Sequence, residues 1–378
     1  MKIKEVVAYP LSCRFDGASM RFGVGNVVKR DCVLVKITCD DGTVGWGESH
    51  HALTPTSIAE LVNSSLAPIV IGCDPFDTEG IWAKIYRRQI ATHGAGTAAV
   101  IAMSGIDIAL WDIKGKVLGL PVYRLMGGSK RKIRAYAGGL SLGYEEDLAT
   151  LEKSVGDYIN QGYTAIKLRV GHDAKDDARR VGHLRKTFGP DLDIAVDAAT
   201  RYTIWDIPVV ADYCNEYNVF WLEEPFTPDD IDTYLRFRTY SNTMLAWGEN
   251  NYTKYAFKDL LSKDAVDVVQ ADCTKSGGLT EVKKIADMTE AFHRLLSPHT
   301  SQTILSAAAN THLMCCTPNA LIFEADLAPI NPFRDLLARN PIRVVDGYIE
   351  PTDEPGLGLD IDESIIDKYP GVRGSAYV

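Results

Sequence analysis

Short apolar runs alternate with amphipathic segments of helical length over the last two thirds of this chain. Segment 147–163 is one such amphipathic segment, whereas each short run is rich in β-branched and aromatic residues. The runs predict eight strands, at residues 132–138, 165–170, 193–199, 219–224, 244–249, 267–272, 294–299 and 320–325. Eight strands joined by helices are typical of an α/β fold with a parallel (β/α)8 barrel.

The first 125 or so residues have a different pattern. Residues 31–49 predict two strands around a turn at Asp41 and Gly42. Residues 97–119 predict a mainly apolar helix that ends at Gly119, with a proline two residues beyond. These elements indicate a small α+β unit that precedes the barrel.

Polar side chains end seven of the eight predicted strands. They are Lys167, Asp197, Glu223, Glu249, Asp272, His299 and Glu324, at successive intervals of 30, 26, 26, 23, 27 and 25 residues. Each interval is one strand plus one helix, so a parallel barrel would bring all seven to one mouth. If these strand ends were unrelated surface positions, they would show mixed residue types, including uncharged ones. Three consecutive strands here instead end in carboxylates. Converging carboxylates repel one another unless a cation lies between them, and oxygen ligands suit Mg²⁺ better than zinc.

The other strand ends offer groups for proton transfer. Asp272 and His299 end adjacent strands, where a carboxylate behind an imidazole fixes its tautomer and raises its basicity. Lys167 and Arg169 are two residues apart on one strand, so their side chains point the same way and need an anion inside a barrel. Taken alone, a strand lysine is usually a surface residue and a histidine is usually structural.

The composition limits the classes of partner. The 378 residues are 46% hydrophobic and 24% charged, with a net charge of −10. This acidic balance argues against binding to nucleic acid or to an anionic membrane surface. The chain has no run of about twenty apolar residues and no signal-peptide core, so a cytoplasmic location is expected. Eight scattered cysteines without a C-x-x-C pair indicate reduced thiols rather than a zinc knuckle or a disulfide framework.

Five motifs extend over nearly the whole chain. They are CDDGTVGWGE (39–48), SGIDIALWDIKGKVLGLPVYRLMGG (104–128), WLEEP (221–225), QADCTKSGG (270–278) and GLGLDID (356–362). Together with the strand-end residues, they resemble the mandelate racemase/muconate lactonizing enzyme family of the enolase superfamily, specifically its mandelate racemase subgroup. The resemblance implies an α+β capping domain (1–126), a modified TIM barrel (127–345) and a C-terminal segment (346–378) that completes the capping domain. A homo-oligomer is expected.

The resemblance gives the three consecutive carboxylates a role. It implies that Asp197, Glu223 and Glu249 bind Mg²⁺, with Glu223 rather than Glu224 as the ligand in WLEEP. On this interpretation, the strand before Glu223 is apolar because it lines a barrel, and it ends in charge because it holds a metal. Mg²⁺ is therefore the expected cofactor.

The resemblance also assigns roles in proton abstraction. It implies that the His299 and Asp272 pair removes the proton α to the carboxylate of a small-molecule substrate. Cationic side chains, from Lys167 and Arg169, and Mg²⁺ would stabilise the resulting enediolate. Glu324 would donate a hydrogen bond to one carboxylate oxygen of the substrate.

Two positions depart from the pattern of the family. Arg169 stands where members with two bases commonly carry a second lysine, and a guanidinium is a poor proton acceptor. Ala199 stands where many relatives have an asparagine. Racemisation needs two competent bases, whereas syn β-elimination needs only one. We therefore expect dehydration of a sugar acid or another hydroxy acid.

Three alternatives to dehydration stay open. Residues 17–23 and 39–48 are similar to sugar-acid lactone cycloisomerases, which use a related elimination, so ring opening is the closest alternative. The second is racemisation or epimerisation of a 2-substituted acid. The third belongs to another class, a catalytically silent binding protein that keeps its metal ligands for structure.

The N-terminal unit is expected to contribute contacts to the substrate. The candidates are Arg21, in the loop around residues 14–25, and the adjacent pair His50 and His51. An ordinary role in a surface loop is the alternative for both histidines.

Overall fold

A three-stranded antiparallel sheet underlies the N-terminal unit. The computed structural model describes residues 1–15, 20–22, 25–94, 96–138, 142–144 and 147–376, apart from the side chains of residues 20–22. The N-terminal strands are β1 (Ile3–Arg14), β2 (Met20–Phe22), β3 (Gly25–Val27), β4 (Lys29–Cys39) and β5 (Val44–Ser49). Strands β1, β4 and β5 pair in that order, and β2 pairs separately with β3. The predicted hairpin is confirmed, and its turn places Gly42 at a φ of 87°.

A long apolar helix packs on this sheet. The helices of the unit are α1 (Pro55–Glu60), α2 (Ala67–Val70), α3 (Thr78–Ile85), α4 (Gly96–Leu118) and α5 (Val122–Leu125), with π-helical segments at Leu61–Leu66 and Tyr86–Ala91. Helix α4 has the length and hydropathy of a membrane span, but most of it is buried inside the fold. Strand β5 approaches α4 closely, because a Cβ on Gly47 would lie 2.1 Å from the carbonyl oxygen of Gly105. Helix α4 is therefore the core helix of this unit.

All eight predicted barrel strands are confirmed. They are β6 (Ile133–Gly138), β7 (Ala165–Arg169), β8 (Asp193–Asp197), β9 (Trp221–Glu223), β10 (Met244–Trp247), β11 (Val268–Val269), β12 (Leu295–Leu296) and β13 (Phe323–Asp326). Strands β6 to β12 pair in sequence order and in parallel, and β13 pairs with β6. A bridge between Leu296 and Ala320 joins β12 to the segment before β13 and closes the barrel.

Helices connect the barrel strands, as the alternating pattern predicts. They are α6 (Leu148–Asn160), α7 (Ala174–Phe188), α8 (Ile207–Glu216), α9 (Ile231–Phe237), α10 (Thr253–Ser262), α11 (Gly278–Ala291) and α12 (Ile304–Cys315). Buried apolar side chains, among them Tyr136, Trp221 and Val268, form a separate cluster on the barrel strands. Because all the strands run in parallel, their C-terminal ends lie at one mouth.

The C-terminal residues return to the N-terminal unit. They contain α13 (Pro332–Asp335), β14 (Tyr348–Ile349) and α14 (Ser364–Lys368). The backbone N–H of Val122 donates to the carbonyl oxygen of Gly356 at 3.0 Å. The backbone N–H of Val28 donates to the carbonyl oxygen of Ala376 at 2.8 Å. These contacts agree with the expected return of the chain, while the domain boundaries at residues 126 and 345 stay a prediction.

Candidate active site

A buried lysine joins the ends of several barrel strands. The Nζ of Lys167 lies 2.7 Å from Glu223 Oε1 and 2.6 Å from Glu324 Oε1. It also lies 3.3 Å from Asp197 Oδ2. The other oxygen of Glu324 accepts the backbone N–H of Thr300 at 2.9 Å. Burial opposes the charge of the ammonium, but Glu223 and Glu324 raise the pKa of Lys167 well above its usual value, so the side chain is a fixed cation.

Arg169 forms an ion pair with Asp197 at the same mouth. The second carboxylate oxygen of Asp197 accepts the backbone N–H of Ala199 at 2.8 Å, from a turn in which Ala199 has a φ of 45°. Burial favours the neutral acid, but Arg169 and Lys167 outweigh it and lower the pKa of Asp197. Both side chains predicted to share a face of β7 therefore contact carboxylates, as that prediction requires.

The two side chains predicted to act as the acid–base pair, His299 and Asp272, are in contact. His299 Nδ1 lies 2.8 Å from Asp272 Oδ2, and His299 Nε2 lies 2.9 Å from Glu249 Oε2. Asp272 is fully buried, and its other oxygen accepts the backbone N–H of Thr274 at 2.7 Å. Burial lowers the pKa of His299, but Glu249 and Asp272 outweigh it and raise the pKa well above the usual value. The side-chain amide of Asn310 donates to the carbonyl oxygen of His299 at 3.1 Å and supports this loop.

The three predicted metal ligands lie at the ends of consecutive strands. Asp197 pairs in register with Glu223 across β8 and β9, and Glu249 follows β10. Their carboxylate oxygens are the donors that a hard cation such as Mg²⁺ takes, so the chemistry of the set fits this ion. The same oxygens contact cationic side chains, and within the described ranges no group of three or more His, Cys, Asp or Glu side chains is arranged to hold a metal. The assignment of these ligands stays a prediction.

Two adjacent histidines of the N-terminal unit lie beside the acid–base pair. The rings of His50 and His51 stack with 4.4 Å between their centroids, and the His50 ring lies 6.5 Å from that of His299. The backbone N–H of His50 donates to the carbonyl oxygen of Thr274 at 3.0 Å. The third predicted contact, the side chain of Arg21, lies outside the described part of the chain.

A cavity of about 250 Å³ lies between the barrel mouth and the N-terminal unit. Its walls include Asp197, Glu249 and His299 from the barrel and His50 and His51 from the N-terminal unit. A larger cavity, of about 410 Å³, lies beside β13 and residues 334–344, and it contains Glu324 but not the acid–base pair. Because the smaller cavity is lined by His299, which contacts the buried Asp272, we take it as the candidate active site.

Two family models match this chain. The mandelate racemase/muconate lactonizing enzyme N-terminal domain matches residues 13–127, and the enolase C-terminal domain-like model matches residues 150–365. The chain belongs to the mandelate racemase/muconate lactonizing enzyme family of the enolase superfamily. This family membership confirms the resemblance seen in the motifs.

The similar proteins below each cover 90% or more of this chain. D-galactarolactone cycloisomerase of Agrobacterium fabrum is 34% identical over 98% of this chain and 99% of its own length. Arabinonate dehydratase of Saccharolobus solfataricus is 32% identical over 90% of each protein. The crystal structure of an enolase superfamily member from Polaromonas sp. JS666 covers 100% of both chains, with 42% identity and a TM-score of 0.96. The chain is accordingly an enolase-superfamily enzyme, a lyase or an isomerase, which leaves the alternative of a silent binding protein without support.

Several residues that line the cavity were not assigned to the site from the sequence. Glu224, Asn250 and Lys275 all line the cavity. The Nδ2 of Asn250 donates to Glu224 Oε2 at 2.8 Å, and Lys275 Nζ donates to Asn250 Oδ1 at 3.1 Å. Successive side chains of a strand point to opposite faces, so Glu224 is expected to point away from Glu223. Glu224 has a φ of 35°, however, so its backbone is not that of a strand. Lys275 lies in a loop, where alternation gives no direction, and its sequence signals are its place three residues after Asp272 and its inclusion in the motif QADCTKSGG.

Proposed function

We propose that the enzyme removes the proton α to the carboxylate of a sugar acid and then eliminates the oxygen on the neighbouring carbon. The observation that carries this proposal is His299 at the cavity wall, which is held by the buried Asp272 and lies beside the carboxylate of Glu249. The names of the relatives, a lactone cycloisomerase and a sugar-acid dehydratase, support this substrate class.

His299 is placed to be the base in this reaction. Its Nδ1 is occupied by Asp272, so Nε2 is the nitrogen that can exchange a proton with a substrate once Glu249, which lies 2.9 Å from it and raises its pKa, turns to a bound cation. Asp272 is in turn held by Thr274, so the imidazole is oriented through a chain of hydrogen bonds. A base within reach of its proton typically contributes about 10²- to 10⁴-fold to the rate.

The side chains of β7 are suited to stabilise charge rather than to accept a proton. The guanidinium of Arg169 cannot accept a proton at neutral pH and is paired with Asp197. The ammonium of Lys167 is held between Glu223 and Glu324. Lys167 and Arg169 therefore do not provide a second base, which supports elimination over racemisation.

Elimination then needs only one proton carrier. The imidazole takes the α-proton, and the electrons of the C–H bond enter the carboxylate group of the substrate, where Lys167 and Arg169 balance the added charge. These electrons then form the Cα=Cβ double bond as the bond from Cβ to oxygen breaks. The imidazolium of His299 returns the proton to the departing hydroxyl, which leaves as water. The enol product tautomerises to a 2-keto-3-deoxy acid.

Mg²⁺ is the cofactor we infer for this site. Asp197, Glu223 and Glu249 would hold the ion, which supplies positive charge next to the substrate carboxylate when it is bound. The donor set supports this inference through its chemistry, because all three residues offer carboxylate oxygens.

Opening of a sugar-acid lactone is the second candidate. The 34% identity with D-galactarolactone cycloisomerase over nearly the whole chain favours it. In that reaction the departing oxygen belongs to an ester, so it leaves as a carboxylate and needs no proton. The same base and the same stabilising cations serve both reactions.

Incubation of single stereoisomers of sugar acids and their lactones in D₂O, followed by proton NMR, tests the proposal. We expect loss of the α-proton and formation of a 2-keto-3-deoxy acid or of an opened unsaturated product. Appearance of the opposite α-configuration carrying deuterium would require a second base and would replace elimination with racemisation. The variant His299→Asn should fold normally and lose at least about 10²-fold in turnover. Near-normal turnover of that variant would place the base elsewhere, with Lys167 the first residue to test.

A further inference from the structure

The turn after β5 has an unusual backbone. Ala52 and Leu53 are consecutive and have φ values of 47° and 58°. This left-handed region is sparsely populated by residues other than glycine, because the Cβ atom crowds the following carbonyl oxygen. Such residues persist where the surrounding structure imposes them, often at sites that bind a ligand. The turn lies directly beside the two cavity histidines.

The turn fixes the tautomer of both histidines. The backbone N–H of Ala52 donates to His50 Nδ1 at 3.1 Å, and that of Leu53 donates to His51 Nδ1 at 2.9 Å. A ring nitrogen that accepts a hydrogen bond carries no proton, so each neutral imidazole carries its proton on Nε2. Both side chains therefore have an N–H donor at Nε2, and that of His50 lies 3.4 Å from the side-chain amide nitrogen of Gln302.

Cations lie near these donors, together with carboxylates: Arg30 pairs with Asp326, and Asp31 and Glu249 line the same cavity. Burial, followed by the charges of Arg30 and Lys275, lowers the pKa of His51 to about 3, so its imidazole is neutral in a positive field. Lys275 Nζ donates to the neutral amide of Asn250 at 3.1 Å, and its distance to Glu249 Oε1 is 3.8 Å. Burial opposes the charge of Lys275, but Glu249 and other nearby anionic groups raise its pKa, so it is a cation in the cavity wall.

The histidine pair also lies at a useful distance from the base. His50 is next to His299, and His51 stacks on His50, with Arg30 also in the wall of the cavity. A short-chain acid with its α-carbon at His299 can thus place its far end against neutral N–H donors in a positive field. A terminal carboxylate accepts charge-assisted hydrogen bonds from such donors, which are stronger than those that a neutral CH₂OH group accepts, so the donors favour the carboxylate.

We propose that His50 and His51, with Arg30 and Lys275 behind them, form a subsite for a second carboxyl group at the far end of the substrate. The preferred substrate class is then the sugar diacids, either free or as lactones in which the far carboxyl group is the ester. When a lactone opens, the same donors receive the carboxylate that departs. This inference rests on the proposed function and adds the substrate class to it.

The matched test compares a six-carbon aldaric acid with the aldonic acid of the same configuration. The two differ only in the far group, which is a carboxylate in one and CH₂OH in the other. With Mg²⁺ present, we expect kcat/KM of the native enzyme to be at least about 10²-fold higher for the diacid or its lactone, the scale of one or two charge-assisted hydrogen bonds. Equal kcat/KM for the two acids would overturn the subsite and leave the proposed elimination standing. Loss of the α-proton from neither acid, free or as a lactone, would instead overturn the proposed function.

Variants of His51 locate the effect. His51→Phe keeps a ring but removes the donor, so the ratio of kcat/KM for diacid over monoacid should fall at least about 10-fold. His51→Gln restores an N–H donor and should recover part of the ratio. The same change at the exposed His93, His93→Phe, should leave the ratio unchanged. If His51→Phe folds, as judged by its melting temperature, and keeps the native ratio, the proposal is wrong.

Discussion

Replacement of Asp272 by asparagine should silence the base by reversing the tautomer of His299. In the native protein, Asp272 Oδ1 accepts the backbone N–H of Thr274 at 2.7 Å and its hydroxyl at 2.9 Å, while Oδ2 lies 2.8 Å from His299 Nδ1. A backbone N–H can only donate, so the carbonyl oxygen of the asparagine must face Thr274. Its NH₂ group must then face His299.

An NH₂ group can only donate, so His299 Nδ1 must accept, and its proton moves to Nε2. The nitrogen that should take the α-proton is then already protonated. General-base help is lost, and turnover should fall about 10²- to 10⁴-fold near neutral pH. The change conserves volume in a fully buried site, so the fold should persist.

The assay is α-proton exchange in D₂O together with steady-state turnover, and ¹⁵N NMR of labelled histidine reports the tautomer. Asp107→Asn is the matched control, because Asp107 is also buried and accepts a backbone N–H, from Thr280 at 2.8 Å, but lies outside the candidate site. This control should keep native turnover. A folded Asp272→Asn protein with turnover within 10-fold of native, or with its Nδ1 proton still in place, would refute this account of the base.

Three further predictions test the metal, the packing and the pH dependence of stability. Chelation of divalent ions should abolish turnover and Mg²⁺ should restore it; full activity of rigorously metal-free enzyme would end the Mg²⁺ assignment. Gly47→Ala should destabilise the protein by about 1–3 kcal/mol or more, because the new Cβ would lie 2.1 Å from the carbonyl oxygen of Gly105. Thermal unfolding checks this against Gly156→Ala, a helical position with nothing within 4 Å, where no loss is expected. Burial raises the pKa of Glu48 to about 8, so the unfolded chain releases this proton at lower pH than the folded one. As the pH rises from about 5 to about 8, the melting temperature of the native protein should therefore fall relative to that of Glu48→Gln. A difference between the two melting temperatures that does not change with pH would contradict this.

The sequence by itself determined the architecture of the barrel. Each strand and helix is marked by local hydrophobic periodicity, and parallel strands present their C-terminal ends on one side. The spacing of Asp197, Glu223 and His299 in the sequence was therefore enough to predict that they lie at one mouth of the barrel. The hairpin around Gly42 and the buried helix α4 were also predictable, because their signals lie within a few consecutive residues. Motifs along the chain indicated the family for the same reason.

Only the tertiary structure decided what each side chain faces. Glu224 lines the cavity because its φ of 35° interrupts the alternation of side chains along the strand. No pattern of neighbouring residues predicts that turn. The tautomers of His50 and His51 depend on a turn whose two residues, in the left-handed region, are not glycine. Lys275 donates a hydrogen bond to Asn250, which lies 25 residues earlier in the sequence. Periodicity reports which face of an element is buried, whereas charge, tautomer and partner depend on contacts between segments that the chain brings together only when it folds.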